Sequence, residues 1–149
     1  MSLTFGLQTP RHLLEKLKRD AALLDEEVTS DRFFNFVVTG YSVLDWVKNC
    51  IPSLATEADD MRKNHWVGIC GDLANASKHF KLERKQISPA SSAVSKPGGW
   101  GMGRWGKGGW GIGEEVITIT LSDGTALDGL DLVTNVLAAW DRFFSTHGM

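Results

Sequence analysis

Residues 30–50 read SDRFFNFVVTGYSVLDWVKNC and contain the longest apolar stretch of the chain. From Phe33 to Val47, apolar side chains recur at steps of three and four residues, which is the spacing of one buried face of an α-helix. Phe34 and Trp46 add apolar surface on a second side. A helix that is apolar on more than one side packs in the interior of a protein. The stretch therefore predicts the central helix of a helical bundle.

Further helices are predicted around this central one. The first begins at Thr9-Pro10, because Thr is a good N-cap and Pro is preferred at the first helical position. Another covers residues 65–80, and a short helical turn is expected between residues 52 and 64. The last begins at Asp128, which can serve as its N-cap, and runs to about Ser145.

A β-hairpin is predicted before the last helix. Residues 116–121, VITITL, are rich in β-branched side chains and partly alternate, and residues 122–124, SDG, are typical of a tight turn. Residues 125–127 then form a short return strand. The predicted fold is mainly α, a four- to five-helix bundle with a β-hairpin inserted before the last helix. We expect one domain over residues 1–149, with residues 81–115 a connector and a Trp/Gly-rich insertion.

Composition restricts the class of protein. The chain has 149 residues, net charge −2 and 42% hydrophobic residues, which suits one globular domain. The apolar stretch over residues 33–47 contains polar side chains and is shorter than the roughly twenty residues of a membrane span. Two cysteines, Cys50 and Cys70, are too few for a disulfide framework and are expected to be small core residues. We expect a cytoplasmic protein that has no secretory signal and no membrane partner.

Charge is distributed unevenly along the chain. Residues 62–107 contain nine Lys or Arg and two acidic residues, a net charge of +7. Such a segment can attract a polyanion such as RNA, although the whole chain is mildly acidic. The alternative is a solvated connector whose charges are compensated by the acidic remainder.

Polar side chains form a stripe on the helix predicted over residues 65–80. Asp72, Asn75 and His79 fall within about 60° of each other around the helix axis. One interpretation is a buried polar network with the central helix, through Asn35, Thr39 or Asp45, which would fix the helix register without a ligand.

The other interpretation of the stripe is catalytic. His79 would move a proton, Asp72 would fix its tautomer, and Lys78 or Arg84 would hold an anion. No metal or other cofactor is expected: His65 and His79 are separated by roughly 21 Å along a helix and cannot share one ion.

The pattern D-L-x-N-x-x-K-H, which starts at Asp72 and follows a Phe- and Trp-rich helix, resembles uncharacterised bacterial helical-bundle proteins similar to the HEPN superfamily. The resemblance covers residues 33–82 and the last helix. It implies a helical bundle, often dimeric, and a metal-independent ribonuclease of toxin or phage-defence systems. Arg142 and His147 fit the spacing of that family's Arg-to-His signature, but Phe143 replaces its usual polar residue. The stretch from Asp72 to His79 does not match the signature.

A short repeat precedes the predicted hairpin. The pattern W-G-x-G-x occurs three times, starting at residues 100, 105 and 110. Its tryptophans could stack on exposed bases while basic side chains meet phosphates. They could also pack against the bundle, a partner protein or a second subunit, or belong to a linker. The candidate residues for binding nucleic acid or a partner are Trp100, Arg104, Trp105, Lys107, Trp110, Arg84 and Lys85.

Two functions follow from these features. The first is a HEPN-like protein, a homo-oligomer, that binds RNA or cleaves it by metal-independent transesterification in stress or phage defence. Its catalytic residues would be His79, Asp72, Asn75 and Lys78, with Arg142 and His147 as the second choice. The second is a non-catalytic protein-interaction module that uses the Trp/Gly-rich segment to dock a partner or second subunit.

Overall fold

The computed structural model describes residues 3–81, 85–97 and 115–149, which form five α-helices and one three-stranded sheet. The helices are α1 (Pro10–Glu26), α2 (Ser30–Cys50), α3 (Ala55–Asp60), α4 (His65–His79) and α5 (Gly129–Thr146). The strands are β1 (Ala90–Pro97), β2 (Glu115–Leu121) and β3 (Ala126–Asp128). The predicted class, a helical fold with strands inserted before the last helix, is confirmed.

Side-chain N-caps start the four longer helices. In each, an oxygen of the cap accepts a hydrogen bond from a backbone N–H of the first turn, a group with no partner inside the helix. These caps are Thr9 for α1, Thr29 for α2, Asn64 for α4 and Asp128 for α5. The predicted starts of α1 and α5 are therefore confirmed.

Helix α2 lies at the centre of the bundle and contacts α1, α3, α4 and α5. Its apolar face buries Phe36, Val43 and Leu44 completely. The indole N–H of Trp140, on α5, donates a hydrogen bond of 2.9 Å to the carbonyl of Gly40. A buried indole that finds a polar partner fixes how α5 sits on α2.

Helix α4 packs closely against α2. A Cβ added at Gly71 would lie 2.5 Å from the ring of Tyr41, a distance that no real side chain occupies. Phe80, the residue that follows α4, is 99% exposed although it is a large apolar side chain. Phe80 has a φ of 66°, a left-handed conformation that ends the helix and turns the ring outward.

The sheet has strand order β1-β2-β3, and both pairs are antiparallel. Side chains alternate along β2, so that Ile117, Ile119 and Leu121 are buried. Helix α5 contacts both β2 and β3. Strands β2 and β3 form the predicted hairpin.

Strand β1 corrects the prediction of a connector, which is wrong for residues 90–97. Its sequence, ASSAVSKP, has no alternation of apolar and polar residues, and the residues after Ala90 are exposed. The strand forms because it pairs with β2 from Ala90↔Leu121 to Pro97↔Glu115. Residues 98–114, which include the predicted Trp/Gly-rich insertion, connect these two strands and lie outside the described residues.

The two cysteines occupy different environments. Cys70 on α4 is buried, as expected. Cys50, the last residue of α2, is exposed, so its assignment to the core is wrong. Its position is set by the end of α2, two residues before Pro52.

Candidate functional site

The polar stripe of α4 runs from the buried middle of the helix to its exposed end. Asp72 is only 5% exposed, and Asn75 is partly buried. Lys78 and His79, in the last turn, are exposed. The stripe therefore passes from the protein interior to solvent within two helical turns.

The Asp72 carboxylate anchors the segment that leads into β1. Its Oδ2 accepts hydrogen bonds from the backbone N–H of Ser88 at 2.7 Å and from the hydroxyl of Ser88 at 2.6 Å. The backbone N–H of Ile87 donates to the same carboxylate, 3.1 Å from Oδ1. A buried carboxylate requires such donors, and here they come from the chain just before β1.

This arrangement corrects the polar network that was expected between α4 and α2. Asn35 and Asp45 are exposed, and the buried Thr39 accepts a hydrogen bond of 2.8 Å from Lys16 on α1. Ser42 donates to the carbonyl of Val38 within its own helix. None of these three residues, Asn35, Thr39 and Asp45, therefore forms the expected network with α4; the side chain of α2 that packs on Gly71 of α4 is Tyr41.

A groove of about 390 Å³ lies between α4 and β1. Asp72, Leu73, Ala76 and Ser77 form its helical wall, and Gln86 with residues 90–93 form the other. Asp72 is the member of the polar stripe that lines this groove. The groove is bounded mainly by small side chains, so an extended segment could enter it.

The second candidate pair, Arg142 and His147, lies at the end of α5. Arg142 is exposed, whereas the next residue, Phe143, is buried. The imidazole of His147 packs on Phe143, with ring centroids 4.5 Å apart. A separation of five residues corresponds to about 140° around an ideal helix, and the ring contact that the structure gives His147, the C-cap of α5, is with Phe143.

A cluster around Glu115 fixes the base of the Trp/Gly-rich segment. The Glu115 carboxylate accepts hydrogen bonds from the backbone N–H of Ser30 at 2.6 Å and from the Ser30 hydroxyl at 2.8 Å. The Ser95 hydroxyl donates to it at 2.9 Å. The backbone N–H of Glu115 donates to the carbonyl of Val28. The bonds from the Ser30 N–H, the Ser30 hydroxyl and then the Ser95 hydroxyl lower the pKa of Glu115.

Sequence analysis did not find this cluster. Ser30 and Glu115 are 85 positions apart in the chain, and neither belongs to a local motif. The residue types gave no signal, because the contact depends on where the sheet docks at the junction of α1 and α2.

The predicted binding residues are only partly described. Trp100, Arg104, Trp105, Lys107, Trp110 and Arg84 lie outside the described residues, and Lys85 is exposed. Two basic residues of the +7 segment, Arg62 and Lys63, pair with Asp59 and Asp60 at 3.8 and 3.0 Å. Exposed lysines at the end of α4 and along β1 are Lys78, Lys81 and Lys96.

The described ranges contain neither a candidate metal site nor a helix that could span a membrane. In residues 3–81, 85–97 and 115–149, no cluster of three or more His, Cys, Asp or Glu side chains could hold a metal ion. None of the described helices is both long enough and apolar enough to cross a membrane. Comparison with known proteins found no matching family model, no matching curated protein and no matching solved structure.

Proposed function

We propose that this protein is a non-catalytic interaction module that presents the Trp/Gly-rich segment, residues 98–114, to a partner protein. The observation that supports this proposal is the pairing of Pro97 with Glu115, which brings the two ends of the segment together. Glu115 is in turn hydrogen-bonded to Ser30 and Val28.

Both ends of the strand pair are attached to the bundle. At one end Glu115 joins β2 to the start of α2, and at the other Asp72 joins the start of β1 to α4. A binding segment with fixed ends loses less conformational entropy on binding than one with free ends. The framework therefore suits a segment that binds a partner.

The composition of the segment favours a protein partner. Trp residues are enriched among the side chains that contribute most to protein–protein affinity, because each offers a large contact area with few rotatable bonds. The indoles of Trp100, Trp105 and Trp110 would supply that area. The glycines between them allow close approach of the backbone.

The role of Asp72 supports binding over catalysis. Its carboxylate holds the backbone of Ile87 and the hydroxyl of Ser88, and that structural task accounts for a buried acid on α4. The exposed His79 then needs no catalytic partner to be explained.

Two variants of the full chain test this proposal. Replacing Trp100, Trp105 and Trp110 with Ala should abolish capture of a partner from nuclease-treated lysate, while replacing Arg104 and Lys107 with Ala should preserve it. Both variants should keep the wild-type melting temperature. Partner capture that survives the loss of all three indoles would contradict the proposal.

A measurement without a partner adds a second test. The difference in tryptophan fluorescence between the wild type and the triple variant reports on these three indoles alone. We expect red-shifted emission and ready quenching by acrylamide, as for indoles accessible to a partner. Blue-shifted, protected emission would mean that the indoles already pack on the bundle, and it would overturn the proposal.

Exposed lysines support a second candidate function, a HEPN-like protein that binds or cleaves RNA in stress or phage defence. Lys78 and Lys81 at the end of α4 and Lys96 on β1 are exposed, and they belong to the +7 segment. Contacts with phosphates would make the affinity for single-stranded RNA fall steeply with salt, by roughly the 0.7 power of the salt concentration per phosphate neutralised. A titration of single-stranded RNA at several salt concentrations measures this slope.

Cleavage is tested by incubating the protein with total RNA in EDTA. A ribonuclease that uses the α4 stripe would lose activity in His79→Ala, and one that uses the end of α5 would lose it in Arg142→Ala and His147→Ala. Binding with a steep salt slope but no cleavage would support an RNA-binding role alone. If the protein neither binds nor cleaves RNA, this candidate is excluded and the interaction module is the function that is left.

A further inference from the structure

Strand β1 forms an exposed edge of the sheet. It pairs with β2 on one side, and its residues after Ala90 are exposed. Val94 is the large apolar side chain of this strand and is 45% exposed. An edge strand offers unpaired backbone N–H and C=O groups to another strand.

The register determines which backbone groups point outward. The N–H of Leu121 donates to the carbonyl of Thr125 on the β3 side, and the N–H of Ser122 donates to the carbonyl of Pro89 on the β1 side. Hydrogen-bonding direction alternates along an antiparallel strand, so Thr118 directs its backbone groups toward β1. Its partner Val94 therefore bonds to β2, and the backbone groups of Ala93 and Ser95 point away from the sheet.

The two ends of β1 are protected against pairing, but its centre is not. At the start, the Gln86 side chain donates to the carbonyls of Ser88 and Ala90, and a register shift lies between Ala90 and Ser92. At the end, Pro97 lacks an N–H. Within the described ranges, residues 93–95 have no charge, no proline, no bulge and no covering segment, the usual devices that protect an edge.

The groove between α4 and β1 leaves space next to this edge. Its walls near the strand are the small side chains of Ala76, Ser77 and Ala93. Helix α4 therefore does not block access to the backbone of β1.

We propose that β1 pairs with β1 of a second copy of this chain, antiparallel and with the twofold axis through Val94. Ala93 of each copy then lies opposite Ser95 of the other, and each such pair exchanges two N–H···O=C hydrogen bonds. The two three-stranded sheets become one continuous sheet of six strands. This surface consists of residues of β1 outside the Trp/Gly-rich segment, and the proposal goes beyond the proposed function.

In this register the side chains of one β1 strand are complementary to those of a second β1 strand. We therefore assign the edge to a second copy of the chain and not to a different protein. The exposed Val94 side chains meet each other on the axis. Lys96, the charged side chain of the strand, lies opposite Ser92 of the other copy, so the two lysines are kept apart. A strand whose charge and apolar residue are placed in this way favours pairing with its own sequence.

Disulfide trapping tests the register. Val94→Cys, made with Cys50→Ser to remove the other exposed thiol, should form a dimer under mild oxidation. The two Val94 positions would form a non-hydrogen-bonded pair with Cα atoms about 4.5 Å apart, within the range of a disulfide. Lys96→Cys in the same background is the matched control and should form no disulfide-linked dimer, because the two Lys96 positions lie far apart in this register. A mixture of Ser92→Cys and Lys96→Cys chains should cross-link, because these two positions face each other.

A second variant tests the edge without a cross-link. Ala93→Pro removes an N–H that points outward, so the pairing with β2 and the melting temperature should be kept. Sedimentation velocity over a range of concentrations should show a monomer–dimer equilibrium for the wild type and its loss in Ala93→Pro. A wild type that stays monomeric, or cross-linking of Lys96→Cys equal to that of Val94→Cys, would overturn the proposal.

Discussion

Asp72 and Ser88 are joined by two hydrogen bonds, in which the backbone N–H and the hydroxyl of Ser88 both donate to Oδ2 of Asp72. Asp72→Asn puts an amide at this site, which offers fewer acceptors to the same donors. We expect a loss of about 1–3 kcal/mol in the free energy of unfolding, the usual cost of leaving buried polar groups without partners. Urea denaturation measures it.

The matched control for this variant is Asp45→Asn, on the exposed side of α2. It should change the stability by less than about 0.5 kcal/mol, as surface substitutions usually do. Equal effects at the two positions would contradict the anchoring role of Asp72.

Gly71 allows α4 to approach α2. Gly71→Ala would place a methyl group 2.5 Å from the Tyr41 ring, and overpacking of this kind typically costs about 1–3 kcal/mol. The double variant with Tyr41→Ala tests the cause, since removing the ring should make the added methyl group much less costly. Additive losses in this double-mutant cycle would show that the contact with Tyr41 is not responsible.

Glu115 makes stability depend on pH in the acidic range. Its pKa in the folded protein lies below the usual 4.5, first because of the Ser30 N–H and then the two hydroxyls. The unfolded chain therefore binds the proton more readily, and the contribution of Glu115, complete above pH 4.5, is lost as the pH falls through the folded pKa. Thermal melts of the wild type at a series of pH values from neutral to below 4.5 should show a melting temperature that decreases as the pH falls.

The pKa values of Asp59 and Asp123 are also lowered, so these two residues add to the pH dependence of the wild type. The variant Glu115→Gln keeps their contributions and removes that of Glu115, so a comparison with the wild type isolates it. The difference in melting temperature between wild type and variant should be largest at neutral pH and shrink on acidification. A difference that stays constant with pH would show that the charge of Glu115 has no part in the cluster.

The two thiols should differ sharply in reactivity. Burial raises the pKa of Cys70 to about 12, whereas Cys50 is exposed. The thiolate is the reactive form of a cysteine. In the native protein, Cys50 alone should therefore react rapidly with Ellman's reagent, whereas both thiols should react in the denatured protein. Cys50→Ser should abolish the rapid phase, and a rapid phase that persists would mean that Cys70 is accessible.

Much of the helical architecture was predictable because its signals are local. Thr9-Pro10 and Asp128 mark helix starts through bonds made within the first turn, and the apolar spacing of α2 reports the bundle centre directly. Strand β1 was not predictable, because it forms only through its pairing with β2. The two strands are separated in the sequence by the 17 residues 98–114. Nothing in ASSAVSKP distinguishes this strand from a loop.

The candidate site was predicted only as a set of residue types on one helix. Spacing placed Asp72, Asn75 and His79 on one stripe, but it could not tell that the carboxylate would bond to Ile87 and Ser88. Those donors lie outside the helix, so no helical periodicity points to them.

The Pro97–Glu115 pair also has an evolutionary consequence. Residues paired across two strands lie roughly 5 Å apart, so any insert whose termini can meet at that distance fits between them without moving the core. The stretch between Pro97 and Glu115 is thus a position at which one inserted segment could replace another during evolution. A new specificity could be acquired there while Asp72, Gly71 and the rest of the bundle stayed unaltered.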